Sequence, residues 1–393
     1  MNKKKNYSKG ARLEILKLLH ICGLIPLHSF EMLHNNNTRV YQQRAKEMER
    51  EGVTVNYRIP NSNYKYVHMQ DYEKNMAKYD YRKYLPEGYY ERYVTYGAID
   101  SKRGRSQTDK TKQERAIRNA EIFIMMYGAK INSLPEDKIM LGSEEYLRED
   151  QSYYYTSREI KNYTGYKSDV EITYDNQGKE SSKKVKSSRV LGLYTSPGGD
   201  YAVYQLGRNL VNWNQSGEYK ISILINKILC AKYKEPRGTD SRGIIISQNA
   251  ETLRKAIGAE DAKAEAWFRN IEDCYKELYV LPYNQYGQQM LKIMGLRGWK
   301  EKSREMFLNE QQRQPCSIPC DGYDGERYYL LYCIPDVKKL RLFLRRAALE
   351  DNPRKYVVIC FKEQAQMVAA AGRRHITIMT AEFKEYENEI KLA

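Results

Sequence analysis

Asp321, Asp324 and Glu326 stand just ahead of an apolar run, Arg327 to Ile334, and the triplet Asp336-Val337-Lys338 follows it. A carboxylate, a strand and then an acidic-x-Lys unit is what a metal-dependent nuclease needs. Two carboxylates hold a divalent cation, Mg2+ or Mn2+, and a lysine orients or activates water. The same triplet recurs at Glu136 to Lys138, Glu159 to Lys161, Glu218 to Lys220, Asp261 to Lys263, Glu382 to Lys384 and Glu389 to Lys391, so chance produces it readily. Asp336 also suits the start of the helix that follows, where an Asp side chain caps backbone N–H groups. No catalytic residue is assigned on this pattern, and outside the nuclease alternative the chain asks for no cofactor.

A second set has recognition chemistry. Arg39, Gln42, Gln43 and Lys46 fall within TRVYQQRAKEMERE, residues 38–51, on a side away from Val40, Tyr41, Ala45 and Met48, which are expected to face inward. Arg and Gln make paired hydrogen bonds to purine edges in the major groove. Arg58 and Lys65 lie on two alternating runs just beyond, and Lys102, Arg103 and Arg105 sit in a polar stretch, all suited to phosphate.

Other chemistries lack their parts. Nicking by a tyrosine nucleophile, for which Tyr153, Tyr154 or Tyr155 would serve, needs a metal held by two closely spaced histidines, and no such pair exists among five scattered histidines. A run of three tyrosines suits a packed strand better. No Walker loop or G-x-G-x-x-G turn opens a helix. Seven scattered cysteines are expected to be reduced thiols, and Cys316 and Cys320 lack the further ligands of a zinc site.

The elements that must hold the recognition set are a small helical block and a hairpin. GARLEILKLLHIC, residues 10–22, places Leu13, Ile15, Leu16, Leu18 and Leu19 on a wide apolar stripe. LHSFEMLH predicts a short second helix, and a third starts near Thr38 and stops at Gly52. VTVNYRI, the turn PNSN and YKYVHM then read as a hairpin. Together these describe a winged helix-turn-helix over residues 1–75. The same scaffold also serves for dimerisation or protein docking.

Charge is concentrated in this region. Residues 1–118 hold 24 Lys and Arg against 13 Asp and Glu, which is +11 of the net +16. A basic surface draws a polyanion by releasing condensed counterions. The longest apolar run, Tyr328 to Ile334, is too short to span a bilayer, and the start MNKKKNYSKG does not resemble a secretory leader, so a cytoplasmic protein without membrane contact is expected.

Residues 76–118 read as a Tyr-rich and basic linker, with a helix beginning near Lys112 and running to Gly128. Residues 119–393 read as a larger α/β domain. SRVLGLYTSPGGDYAVYQLG is a hairpin signal centred on Ser196 to Gly199, and a helix follows with Ile221, Leu224, Ile225 and Ile228 in register. RGIIIS is a strand, and QNAETLRKAIG a helix. RYYLLYCI, PDVKKLRLFLRRAAL, YVVICF, KEQAQMVAAAG and ITIMTA form a β-α-β-α-β series, which favours a partly parallel sheet. The expected fold class is α+β, an N-terminal winged helix-turn-helix followed by this larger α/β domain with a mixed, partly parallel sheet. Under the nuclease alternative that domain would be restriction-endonuclease-like and degenerate.

This order of blocks resembles the replication-relaxation proteins of plasmids and integrative elements. The residues carrying the resemblance are ARLEILKLLH with TRVYQQRAKEMEREGV, SSRVLGLYTSPGGDYAVYQLG with SGEYKISILINKIL, and YVVICFKEQAQMVAAAG. It implies a DNA-handling role on a mobile element; joined to the winged-helix reading, the expectation is a sequence-specific reader of double-stranded DNA acting in replication, mobilisation and conjugation, or their control. A homodimer is expected because winged-helix readers often double their contact on a two-fold site, and other replication or transfer proteins are the further partners expected. The alternative is a metal-dependent nuclease or nickase delivered by the same reader.

Overall fold

The computed structural model describes residues 10–33, 38–58, 65–69, 110–165, 170–174, 180–184, 188–207, 212–235, 237, 240–248, 262–350, 352, 355–372 and 376–392. The chain is α+β with mixed sheets. It divides into two compact units, residues 1–147 with 153–166, and residues 148–152 with 167–393.

In the first unit, α1 (Gly10–Cys22) carries Ile15, Leu16, Leu18 and Leu19 into the core, each such burial contributing about 1.5–3 kcal/mol. Gly23, in the left-handed region at φ 79°, closes the helix by donating its N–H to Leu19 O at 2.8 Å. The short second helix expected at LHSFEMLH is present, as a 3-10 helix over Leu27–Met32. The reason lies just upstream: β1 (Ile25–Pro26) pairs antiparallel with the strand Lys65–Met69, Ile25 opposite Val67 and Pro26 opposite Tyr66. The backbone is thereby held extended through Pro26, leaving a stretch too short to nucleate α-helix well.

α2 (Thr38–Arg50) buries Tyr41, Ala45 and Met48, and Phe30 stacks on Tyr41 with ring centroids 5.8 Å apart. Val40, expected inward, is instead 43% exposed, because it lies about 100° round the helix from that buried seam. β2 (Thr54–Arg58) and β3 (Lys65–Met69) form the expected antiparallel pair, from Thr54 opposite Met69 to Arg58 opposite Lys65. The strand order is β1-β3-β2.

α3 (Lys110–Gly128) packs against α1, β1 and the 3-10 helix. A domain boundary at residues 118/119 would cut this helix. It lies within the first unit, because Ala120, Phe123, Ile124 and Met125 are all buried there. β4 (Tyr153–Thr156) buries Tyr153, Tyr154 and Tyr155, as a packed strand should, and α4 (Ser157–Thr164) starts from a reciprocal Thr156–Glu159 capping box.

The second unit begins with an antiparallel pair, β5 (Val170–Tyr174) and β6 (Glu180–Lys184). β7 (Gly192–Ser196) and β8 (Gly199–Leu206) form the hairpin expected at Ser196 to Gly199. A Cβ at Gly198 would sit 2.0 Å from the backbone oxygen of Met294, so only glycine fits that turn. α5 (Gln215–Lys232), β9 (Arg242–Ser247), α6 (Ala262–Glu272) and β10 (Glu277–Pro282) follow, with β8, β9 and β10 side by side and parallel.

After α7 (Gln285–Met294) and α8 (Trp299–Phe307) comes a second sheet. It is built from β11 (Gly322–Tyr323), β12 (Tyr328–Leu331), α9 (Val337–Ala347), β13 (Tyr356–Phe361), α10 (Lys362–Gly372) and β14 (Thr377–Ala381), and closed by α11 (Phe383–Leu392). β12, β13 and β14 are parallel neighbours, which is the β-α-β-α-β series. Rings of Tyr286, Phe307, Phe361, Phe383 and Tyr386 pack together behind it. Cys316 and Cys320 are joined in a disulfide, against the expectation of reduced thiols; Cys22, Cys230, Cys274, Cys333 and Cys360 are free. Among the described residues no helix is long and apolar enough to cross a membrane.

The PNSN turn, most of the 76–118 stretch and the helix expected at QNAETLRKAIG lie outside the described residues.

Candidate nucleic-acid interface

α2 presents six exposed side chains: Arg39, Val40, Gln42, Gln43, Lys46 and Arg50. At about 100° per residue, Arg39, Gln43, Lys46 and Arg50 fall within about 60° of one another, with Gln42 alongside. The four residues expected to read base edges are therefore on one face, and Arg50 extends it by a turn.

The acids beside that face are each engaged by a neighbouring side chain, with Glu47 at its edge. Glu47 Oε2 accepts from Arg12 Nη2 and from Arg44 Nη1, each at 2.7 Å. Glu51 pairs with Arg12 at 3.3 Å. Glu49 Oε1 accepts the backbone N–H of Asn56 at 3.0 Å, and its other oxygen takes the Asn56 side-chain amide. The bonds from Arg12 and then Arg44 hold the Glu47 carboxyl down to about 2, so it stays ionised. Gln43 Nε2 donates to Glu47 Oε1 at 3.2 Å, which steadies the amide while leaving its oxygen and second N–H outward.

The helix is seated by α1. Tyr41 donates its hydroxyl to Glu14, and α1 itself is fixed by Lys17 on Glu136 at 2.7 Å. His20, buried in α1, has Nδ1 2.6 Å from Leu16 O, and burial pushes its pKa down to about 4. His28 contacts the buried Glu121 of α3 at 2.8 Å. At the hairpin, Lys65 is exposed and its Cα is registered opposite Arg58. Lys102, Arg103 and Arg105 lie outside the described residues, as does the side chain of Arg58.

Three of the four nuclease candidates, Asp324, Asp336 and Lys338, are employed elsewhere. Asp324 Oδ1 accepts the backbone N–H groups of Glu326 at 2.9 Å and Arg327 at 2.7 Å, and its other oxygen takes the Tyr329 hydroxyl at 2.6 Å. Burial alone would raise its pKa, but these bonds, led by Tyr329, bring it below the ordinary carboxylate range. Glu326 is exposed on the same turn.

Asp336 caps α9: its Oδ1 accepts from Lys338 N at 3.0 Å and Lys339 N at 3.3 Å, and from Leu278 N of β10 at 3.4 Å. Burial pushes its pKa up to about 6. Lys338 Nζ donates to the carbonyls of Glu272, at 3.2 Å, and Tyr275, at 2.8 Å, at the end of α6. The side chains of Asp336 and Lys338 thus serve two helix ends, and Asp324 a turn. Among the described residues no group of three or more His, Cys, Asp or Glu side chains is arranged to hold a metal ion.

Two other clusters, one of them around Asp321 of the same acidic pattern, have partners that spacing does not reveal. Asp321, its side chain only 2% exposed, accepts from Leu331 N at 2.9 Å and pairs with Lys339 and Arg304. Glu277 accepts from Arg242 Nε at 2.8 Å, Lys300 Nζ at 2.6 Å and the Tyr279 hydroxyl at 2.8 Å. The parallel register that sets Arg242 opposite Glu277 creates the second cluster. Both join residues far apart in the chain, for which no local pattern gives a signal. No family model matches the chain, and neither a curated protein nor a solved structure matches it.

Proposed function

We propose that the first unit is a winged-helix reader of double-stranded DNA, with α2 as the recognition helix and the β2–β3 hairpin as the wing. The observation that carries this reading is the exposed row on α2, which offers cations and amides, with the carboxylate at its edge, Glu47, held by Arg12 and Arg44. Arg39 and the glutamines have the donor and acceptor geometry for purine edges. Lys46, Arg50 and Lys65 supply charge for phosphates. The basic stretch with Lys102, Arg103 and Arg105 would extend that contact along the backbone.

The chain then acts in the cytoplasm on a plasmid or integrative element, in its replication, mobilisation or control, as the resemblance in block order implies. A homodimer would place two α2 helices on a two-fold site. The second unit would serve pairing of copies or docking of replication or transfer proteins. The reading asks for no metal or organic cofactor.

The test is binding of the full chain to duplexes selected from a random pool, followed by fluorescence anisotropy between about 50 and 200 mM salt. The joint change Arg39→Ala, Gln43→Ala, Lys46→Ala removes two cations. With Lys46 the one phosphate contact removed, it should lower the slope of log K against log salt by about 0.9 and abolish sequence preference. Unchanged preference and slope in that variant would refute α2 as the reading element.

A further inference from the structure

We infer that Val40 is a specificity residue of α2 and reads the C5-methyl group of a thymine next to the base pair read by Gln43. The inference rests on the DNA-reading proposal. Val40 is the third residue of α2 and is 43% exposed, and Arg39, Gln42 and Gln43 surround it in the first turn and a half. It is the one apolar side chain among the six that this helix exposes. A β-branched residue there gains nothing for the helix, because its χ1 is restricted and its propensity falls below that of the Lys and Gln around it.

On a helix that lies in a DNA groove, an apolar side chain gains affinity only against apolar surface, and duplex DNA offers little of it. In the major groove every base edge presents hydrogen-bonding atoms, and thymine adds a methyl. Phosphate and sugar contacts would favour the cations beside Val40 instead.

Geometry then sets the register. Val40 and Gln43 are three residues apart, about 4.5 Å along the helix axis and about 60° around it. Stacked base pairs are about 3.4 Å apart. The two side chains therefore address the same or adjacent pairs, Gln43 offering its amide to adenine and Val40 its methyls to thymine. The face selects a site in which an A·T pair lies within a step of the Gln43 contact, with the guanine preference of Arg39 beside it. The acids that would repel DNA are held by Arg12, Arg44 and Asn56, so the first turn is left to these contacts.

The experiment uses full-length protein and duplexes enriched from a random pool. Each thymine of the enriched site is replaced singly by deoxyuridine, which keeps base pairing and removes the methyl. For the native chain, one thymine, adjacent to the position whose preference is lost in Gln43→Ala, should weaken binding about fourfold, as expected for removing one buried methyl-sized contact. Val40→Ala should bind the unmodified site about fourfold more weakly and be indifferent to that same deoxyuridine. Alanine is the better helix former at an exposed site, and circular dichroism would verify that the fold is intact.

If a site is enriched but the native chain tolerates deoxyuridine everywhere, or Val40→Ala remains sensitive to it, the assignment of Val40 fails while the DNA-reading proposal stands. If no site is enriched and Arg39→Ala, Gln43→Ala, Lys46→Ala binds duplex as the native chain does, the reading itself fails, and this inference with it.

Discussion

Asp336 offers the sharpest test of whether the acidic pattern near the C-terminus serves structure or chemistry. One oxygen, Oδ1, accepts all three of its backbone bonds, from Lys338, Lys339 and Leu278. Asp336→Asn keeps a carbonyl oxygen in that position, whereas Asp336→Ala leaves three N–H groups without it. The lost cap costs about 1 kcal/mol, and an unsatisfied Leu278 N–H adds about 1–3 kcal/mol. The Ala variant should therefore be less stable than the Asn variant by about 2–4 kcal/mol at any pH.

The native residue differs from Asn in a second way. Its folded pKa of about 6 lies above the unfolded value of about 3.9. Between those values the folded state binds more protons, so stability falls as pH rises from about 4 to about 6. A pKa raised that far amounts to about 3 kcal/mol at most. Asp336→Asn should match the native chain near pH 4, exceed it at pH 7, and lose that slope. The three tryptophans, Trp213, Trp267 and Trp299, all lie in the second unit, so urea unfolding followed by tryptophan fluorescence reads the relevant part. Equal stabilities of the Asn and Ala variants, or an unchanged pH slope in Asn, would refute the capping argument. Supercoiled plasmid should stay intact with Mg2+ and native protein; nicking that both variants abolish would give Asp336 to chemistry instead.

Two further outcomes follow from burial and close approach. His20, held neutral with its pKa near 4, has its folded value below the unfolded value of about 6.5. The unfolded state takes the proton first, so the first unit should lose stability as pH falls from about 6.5 towards 4, by up to about 3 kcal/mol; this is opposite in sense to Asp336. Hydrogen exchange of α1 amides, corrected for intrinsic rate, should show the loss in the native chain and not in His20→Gln. Gly198→Ala should destabilise the second unit by about 1–3 kcal/mol, read as a lower urea midpoint, because its Cβ would meet the Met294 carbonyl at 2.0 Å. Gly207→Ala, where nothing lies within 4 Å of the added carbon, should leave the midpoint unchanged within error.

What could be read from the chain and what could not divide along the range of the interactions involved. The stripe in α1, the β2–β3 hairpin, the Ser196 to Gly199 turn and the β-α-β-α-β series from Tyr328 to Ala381 are written in periodicity and turn chemistry. All of them are present. The 3-10 helix at Leu27–Met32 was hidden because its cause is a strand pairing with the distant residues Tyr66 and Val67. Glu277 was invisible for the same reason, since Arg242 and Lys300 reach it only once β9, β10 and α8 are packed.

The candidate interface shows both sides of this division within one helix. That Arg39, Gln42, Gln43 and Lys46 share a face follows from about 3.6 residues per turn alone. That the acids beside the face are neutralised does not, because Glu47, Glu49 and Glu51 are as close in sequence to the basic row as the basic residues are to one another. Their pairing depends on Arg12, 35 positions upstream of Glu47 in α1, and on Asn56 in β2. The electrostatic character of α2 is thus a tertiary property: Arg12→Ala would leave the reading residues in place, yet free Glu47 and Glu51 from one of their cationic partners.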